Sequence, residues 1–249
     1  MDWDVLLILD ACRFDVLSAV AETAVVRPVR SPASSTPEFL EHARERGVFE
    51  GATYVSANPQ TGKKRPGEDI SLRPVYEEAW ENRLGTVPAE RVFRAVRNEL
   101  DESNTVVGHV MQPHYPHICR IDGHTLPVPN GLHPREFKDS NLEASGLQAL
   151  LASGAVNLDR ARRSYEICVR YAWESASSFA ASLASEGYQV AVTADHGESF
   201  GERGFVEHPV GIRIDPLVTV PWVTFGSGSN EGDQTGTEDQ LKALGYVDV

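Results

Sequence analysis

Lysine is scarce: Lys63, Lys64, Lys138 and Lys242 are the only four, and arginine supplies the rest of the 23 basic residues. Against them stand 36 acidic residues, for a formal net charge of -13 over 249 residues. A surface of that sign repels nucleic-acid phosphates, which argues against a nucleic-acid partner. Cysteine is rarer still. Cys12, Cys119 and Cys168 are odd in number, far apart and free of any CxxC pattern, so no disulfide framework is expected and a cytoplasmic, reducing compartment is the simplest setting. Long apolar runs are also missing. Nothing approaches the roughly 20 residues of a membrane span. The apolar stretch 5–9 follows two aspartates rather than a basic leader, so neither a span nor a signal peptide is expected.

The remaining composition, 41% hydrophobic and 24% charged, is that of a folded chain able to bury a real core. Many carboxylates with few lysines are what salt-adapted proteins show, where carboxylates hold hydration and salt screens their repulsion. An ordinary acidic cytosolic protein carries the same balance.

Hydrophobic patterning alternates strand and helix from end to end. Val5-Leu6-Leu7-Ile8-Leu9, closing on Asp10, reads as a strand buried on both faces of a parallel sheet. Further strands are expected at 53–56, 105–111, 189–193 and 217–225. Helices are expected at 13–26, 74–83, 88–100 and 158–186, and one starting at Thr36-Pro37-Glu38 with proline in its first turn. Segments 59–68, 121–134 and 227–236 read as loops, and 237–244 as a short final helix. With no repeat and no linker, this is an α/β fold with a mostly parallel sheet, in one domain over 1–249.

Open α/β sheets bind ligands at the carboxyl ends of their strands. Here those ends carry Asp10, then His114, then Asp195-His196, with His208 further on. Carboxylates and imidazoles converging there suit a divalent ion, zinc or manganese best, calcium or magnesium in part. Singly, each has a plainer reading. Asp10 is equally suited to capping the next helix, His196 to a turn, and His208 to the surface. His109 reads as core, and His117 and His124 as loop residues.

The segment Thr193-Ala194-Asp195-His196-Gly197-Glu198-Ser199-Phe200-Gly201-Glu202-Arg203-Gly204, with His208 after it, resembles the "TxDHGExxGExG…H" signature of the alkaline phosphatase superfamily, in particular its sulfatase-like branch. The first strand ending in Asp10 is similar to that family's first metal-binding strand. Pro113-His114-Tyr115-Pro116 is similar to its "DPHxPY" segment, with Gln112 in place of the aspartate, and Leu241-Lys242-Ala243-Leu244-Gly245-Tyr246 to its chain ending. Asp-Ala-Cys-Arg-Phe-Asp at 10–15 is similar to the start of sulfatase-like proteins common in haloarchaea.

The resemblance implies a three-layer alkaline-phosphatase-like fold with helices on both faces of the sheet. It implies a nucleophile in a nucleophile-x-Pro arrangement, with Ser35 first, Thr36 second and Ser34 third. It implies one ion held by Asp10, Asp195, His196 and the nucleophile, while His114 and His208 hold a second ion or touch the transferred group. Arg13 either contacts an anionic substrate or pairs with Asp15. The expected activity is metal-dependent hydrolysis of phosphate or sulfate esters through a covalent enzyme intermediate. The substrate would be a small molecule, or a glycan or lipid-headgroup ester. Sulfatases mature a Cys or Ser within Cys/Ser-x-Pro/Ala-x-Arg to formylglycine. Phe39 stands at the arginine position here, which favours phosphate. The alternatives are a sulfatase proper, a non-catalytic metal- or anion-binding member, and a phosphomutase, for whose usual cap domain the chain is too short. Activity is expected to rise with salt, as assayed on phosphate esters across a sodium or potassium chloride series; sharp loss of activity and folding in molar salt would refute salt adaptation.

Overall fold

In the computed structural model, which describes residues 3–100, 105–129, 131, 157–226 and 241–248, the apolar strand at the start of the chain lies in the middle of the sheet. The strands are β1 (Val5–Asp10), β2 (Arg27–Arg30), β3 (Thr53–Ser56), β4 (Ser71–Pro74), β5 (Val106–Pro113), β6 (Ile118–Ile121), β7 (His124–Pro127), β8 (Val190–Ala194), β9 (Ser199–Phe200), β10 (Val206–Glu207), β11 (Thr219–Phe225) and β12 (Val247–Asp248). The α-helices are α1 (Phe14–Val20), α2 (Thr36–Arg46), α3 (Gln60–Lys63), α4 (Ala89–Glu99), α5 (Leu158–Ser185) and α6 (Asp215–Val218).

Eight strands form the main sheet in the order β12-β2-β11-β8-β1-β5-β3-β4. The run from β8 to β4 is parallel. β1, β5 and β8 are buried at every residue, as strands covered on both faces must be, and that is why they read as unbroken apolar runs. Side chains alternate faces along a strand. Gly108 of β5 meets Val96 of α4, on the face where α4 and α5 pack. Its neighbour His109 points to the opposite face, with Tyr54, Phe49 and Phe39 of α2. Helices therefore cover both faces, as expected.

The sheet is mostly parallel, as expected, with one antiparallel edge: β11 runs antiparallel to β8, and β2 and β12 continue that edge. Several expectations need correction. The apolar stretch 217–225 opens as the helical turn α6 before becoming β11. No helix spans 74–83. Pro74 ends edge strand β4, and only a 3-10 turn, Val75–Glu77, follows, with Val75 its one buried residue. Without a buried face, helix propensity alone does not hold so short a segment. Helix 13–26 stops at Val20, and the chain turns into β2. Segment 121–134 is not all loop. Asp122 and Gly123, both at positive φ, turn a hairpin between β6 and β7, the familiar role of an Asp-Gly pair. Segment 59–68 contains the single turn α3. Residues 132–134, 227–236 and 237–240 lie outside the described residues. Cys12, Cys119 and Cys168 are free thiols, all buried. No described helix is long and apolar enough to cross a membrane.

Gly108 is where α4 closes on the sheet. A Cβ there would lie 2.7 Å from Val96 Cγ2 and 3.1 Å from Leu7 Cδ2. Gly108→Ala is expected to lower unfolding free energy by about 1–3 kcal/mol through overpacking, measured by urea denaturation.

Candidate active site

Four neighbouring strands, β8, β1, β5 and β3, bring their carboxyl ends to one edge of the sheet. Asp195 follows β8 and Asp10 closes β1. His114 follows β5, and Asn58 lies two residues past β3. The β1–β5 register slips at Leu9/Asp10, and the next residue, Ala11, takes a left-handed φ of 60°. Such a backbone costs a side-chain-bearing residue about 1 kcal/mol. It is held by hydrogen bonds from Ala11 N–H to Asp195 Oδ1 (3.1 Å) and from the Tyr165 hydroxyl to the Ala11 carbonyl (2.6 Å).

Into this edge the N-terminus of α2 delivers Thr36. Its hydroxyl donates to Asp195 Oδ2 at 2.8 Å and lies 3.4 Å from Asp10 Oδ1 and 3.2 Å from His196 Nε2. Asn58 Nδ2 donates to the other oxygen of Asp10 at 2.7 Å and sits 3.5 Å from the Thr36 hydroxyl. His196 Nδ1 faces the Gly197 carbonyl at 2.8 Å, so its proton sits there and Nε2 turns a lone pair towards Asp10 Oδ1 and Asp195 Oδ2, each 3.5 Å away. All these side chains are buried.

Burial and the neighbouring Asp195 charge push the Asp10 carboxyl well above the usual range. Burial acts the same way on Asp195, but His196, His109 and Thr36 outweigh it and hold Asp195 below that range. Two buried carboxylates this close ionise together only beside a cation. Two carboxylate oxygens, an imidazole lone pair and a hydroxyl converging on one point are a donor set that fits a divalent ion such as zinc or manganese.

A second group of imidazoles lies beside the first. The His208 ring centroid is 4.7 Å from that of His196 and 5.0 Å from that of His114. His208 Nδ1 pairs with Glu198 Oε2 at 3.2 Å. Burial opposes a charge on His208, but Glu198 outweighs it and lifts the ring to about 9. Burial, then His208, lowers His114 to about 4. Its Nδ1 meets the Tyr115 carbonyl at 2.6 Å. Glu207 at φ 60° sets the backbone before His208.

Asp10, Asp195, His196, His208 and His114, scattered in sequence, thus come together. Thr36, not Ser35, is brought to the carboxylates. Ser35 is the N-cap of α2, and its buried hydroxyl has no hydrogen-bond partner among the described residues. Ser34 bonds Glu38 and the Pro209 carbonyl. Arg13 does not face the centre. Its buried guanidinium pairs with Asp15 (2.7 Å) and Glu202 (2.6 Å), so of its two expected roles the structure shows the pairing. The core reading of His109 also needs amending. It is fully buried, yet its Nε2 lies 3.6 Å from Asp195 Oδ2, and Asp10, His109 and Asp195 offer donor atoms all within 4.8 Å of one another. Gln112 points away, donating to Thr86 and the Val87 carbonyl. Asn58 and Glu198 join the site without having been assigned a role from the sequence. Glu198 had a signal, its place in Asp195-His196-Gly197-Glu198. Asn58 had none beyond lying past a strand. Gly197 in that motif has a steric cause: a Cβ would strike the Pro216 carbonyl, and its N–H donates to the Leu217 carbonyl at 2.7 Å. Tyr246 near the chain end is buried and donates to the Ala194 carbonyl at 2.8 Å, bracing the strand end before Asp195.

No family model and no curated protein matches the sequence. Solved structures do match. The integral membrane lipooligosaccharide phosphoethanolamine transferase A of Neisseria meningitidis aligns at TM-score 0.57 and 17% identity, over 96% of this chain and 50% of that one. The C-terminal periplasmic domain of EptC from Escherichia coli, in complex with zinc, aligns at TM-score 0.56 and 12% identity, over 98% and 82%. A 2-O GAG sulfatase aligns at TM-score 0.56 and 11% identity, over 100% and 72%. The chain spans half the length of the first of these proteins. At such identities the likeness defines the fold, which is the alkaline-phosphatase-like fold shared by phosphoethanolamine transferases and sulfatases.

His117 turns away from the centre, its Nδ1 on Ser164 Oγ of α5 at 2.9 Å. Burial pushes its pKa down to about 3. The unfolded chain takes up that proton near pH 6.5, so the stability held above 6.5 is lost as pH falls towards 3. At pH 5 the loss is about 2 kcal/mol. Urea midpoints of His117→Gln are expected to fall less than wild type between pH 7 and 5; parallel falls would show His117 uninvolved.

Proposed function

We propose that the chain is a metal-dependent phosphate-ester enzyme with Thr36 as nucleophile. The observation that carries this reading is the Thr36 hydroxyl, at the N-terminus of α2, within 3.4 Å of Asp195 Oδ2, Asp10 Oδ1 and His196 Nε2. A divalent ion held by Asp10, Asp195, His196 and Thr36 supplies Lewis-acid stabilisation and lowers the hydroxyl pKa.

The chain's own groups do the rest. Thr36 Oγ1, its proton released to solvent, forms the new bond to phosphorus as the bond to the leaving alcohol breaks on the opposite side. The positive end of the α2 dipole favours the negative charge on the phosphoryl oxygens. Asn58 Nδ2 orients Asp10 throughout. His208, kept protonated by Glu198, gives its proton to the departing alkoxide. His114, neutral, lines the same wall. A water then displaces Thr36 from phosphorus and regenerates the hydroxyl. A second alcohol in place of water makes the enzyme a transferase.

Threonine as nucleophile supports phosphate over sulfate, because formylglycine is made from cysteine or serine, and the buried Phe39 stands where that motif has arginine. The phosphoethanolamine transferases among the structural neighbours support the same choice. The substrate class is an alcohol-linked phosphate on a small molecule, a glycan or a lipid headgroup. The 1–249 chain acts as one domain around one sheet.

Protein stripped with EDTA and reloaded with zinc or manganese is expected to hydrolyse p-nitrophenyl phosphate or bis-p-nitrophenyl phosphate, and stripped protein is not. Thr36→Ala is expected to lose about 1000-fold or more in kcat, while Ser35→Ala keeps most of it. Full activity in Thr36→Ala refutes this nucleophile. Turnover of p-nitrophenyl sulfate alone would make the protein a sulfatase, and tight zinc binding with no ester turned over would make it a binding module.

A further inference from the structure

Asp195 has one contact that the metal-binding donor set does not use. Tyr54 of β3 and His109 of β5 are both fully buried, and both lie on the sheet face of α2. The Tyr54 hydroxyl is 2.9 Å from His109 Nδ1, and His109 Nε2 is 3.6 Å from Asp195 Oδ2. We propose that Tyr54 and His109 form a positioning relay behind Asp195, in which His109 carries its proton on Nε2, aims it at Asp195 Oδ2, and is not itself a metal ligand.

The argument is one of proton placement. A buried phenol must donate its hydrogen to something. Among the described residues, His109 Nδ1 is the partner the Tyr54 hydroxyl has. Burial, reinforced by the Asp195 charge, holds the Tyr54 phenol well above its ordinary pKa, so the proton stays on it. A neutral imidazole that accepts at Nδ1 carries hydrogen on Nε2 and offers no lone pair there. Among the described residues that Nε2 has no hydrogen-bond partner at normal length, and it faces Asp195 Oδ2. A shift of a few tenths of an ångström closes it to a hydrogen bond.

The lone pairs of Asp195 fit the same scheme. Oδ1 accepts from the N–H groups of Ala11 (3.1 Å) and His196 (2.9 Å) and is filled. Oδ2 faces the Thr36 hydroxyl at 2.8 Å. With His109 Nε2–H on its other side, Oδ2 can meet a cation only in the direction the Thr36 hydroxyl hydrogen now takes. Asp195 is thereby fixed from three sides, as ligating carboxylates are by their outer partners. The proximity of His109 to Asp10 and Asp195 then reflects support of the carboxylate rather than coordination.

This inference rests on Asp195 being a ligand, and the experiment separates the two claims. Long-range 1H–15N correlations of the histidine rings, in the full chain without metal and with zinc, report the tautomer. The Nε2–H form of His109 is expected in both states, and in Tyr54→Phe that preference is expected to be lost. An Nδ1–H form in the metal-free chain, or a switch to it on zinc addition, overturns the relay. Zinc affinity is read by competition with a chromophoric chelator. His109→Leu is expected to weaken it about 10–100-fold, with His109→Gln, whose amide can still donate, recovering part of the loss. Cobalt-loaded His109→Gln is expected to keep the wild-type visible band pattern, and a changed coordination spectrum overturns the positioning role. Should His109→Leu fail to fold, Tyr54→Phe carries the affinity test, with a smaller loss expected and no loss counting against the relay. A wild-type chain without zinc affinity refutes the proposed function, while the metal-free tautomer still decides the relay.

Discussion

Asp10 closes β1, Asp195 directly follows the adjacent parallel strand β8, and both carboxylates are buried. At under 4.8 Å and an effective dielectric near 20, two full charges would repel by at least about 3 kcal/mol. Most of the site's architecture follows from managing that repulsion. Asn58 donates to Asp10. Two backbone N–H groups and the Thr36 hydroxyl donate to Asp195. His196 lies across both. Even so, Asp10 is driven towards its protonated form. A divalent cation resolves the conflict completely, which is why a pair so costly in the bare fold is a sensible place to hold one.

Around the pair, the positive charges divide by function. Arg13 pairs with two carboxylates and a carbonyl, where it ties α1 to the loop after β8. His208 and His114 sit side by side with their pKa values pushed apart, to about 9 and about 4. Glu198 makes the difference, because it contacts one ring and not the other. Against the net charge of -13, the proposed cation and one charged imidazole would be what the centre offers an anionic ester.

Legibility followed burial. β1, β5 and β8 were readable because strands covered on both faces are continuous apolar runs, and α4 and α5 because their periodicity matches one packed face. The edge elements were not. β4 and β2 owe their pairing to neighbours distant in sequence, and the direction of β11 was invisible because antiparallel and parallel strands share one hydrophobic pattern. The Asp122-Gly123 turn carries its own local signal, an Asp-Gly pair between two short strands. In the site, Asp10, Asp195, His196, His114 and His208 were found from strand ends and from the resemblance. The choice between Ser35 and Thr36 was beyond reach, since a one-residue step around a helix N-terminus turns a hydroxyl by about 100°. His109 looked like core because it is core by burial.

The sequence by itself determined that this is an acidic α/β chain whose strand ends carry carboxylates and imidazoles, since those properties reside in residue type and local period. The tertiary structure alone decided which groups meet. It set Thr36 rather than Ser35 against the carboxylates, turned Arg13 away, recruited Asn58 and Glu198, and put Tyr54 and His109 behind Asp195. Each of these depends on the order β8-β1-β5-β3 and on the angle at which α2 enters. Both are fixed by packing between segments far apart in the chain, and no local pattern records them.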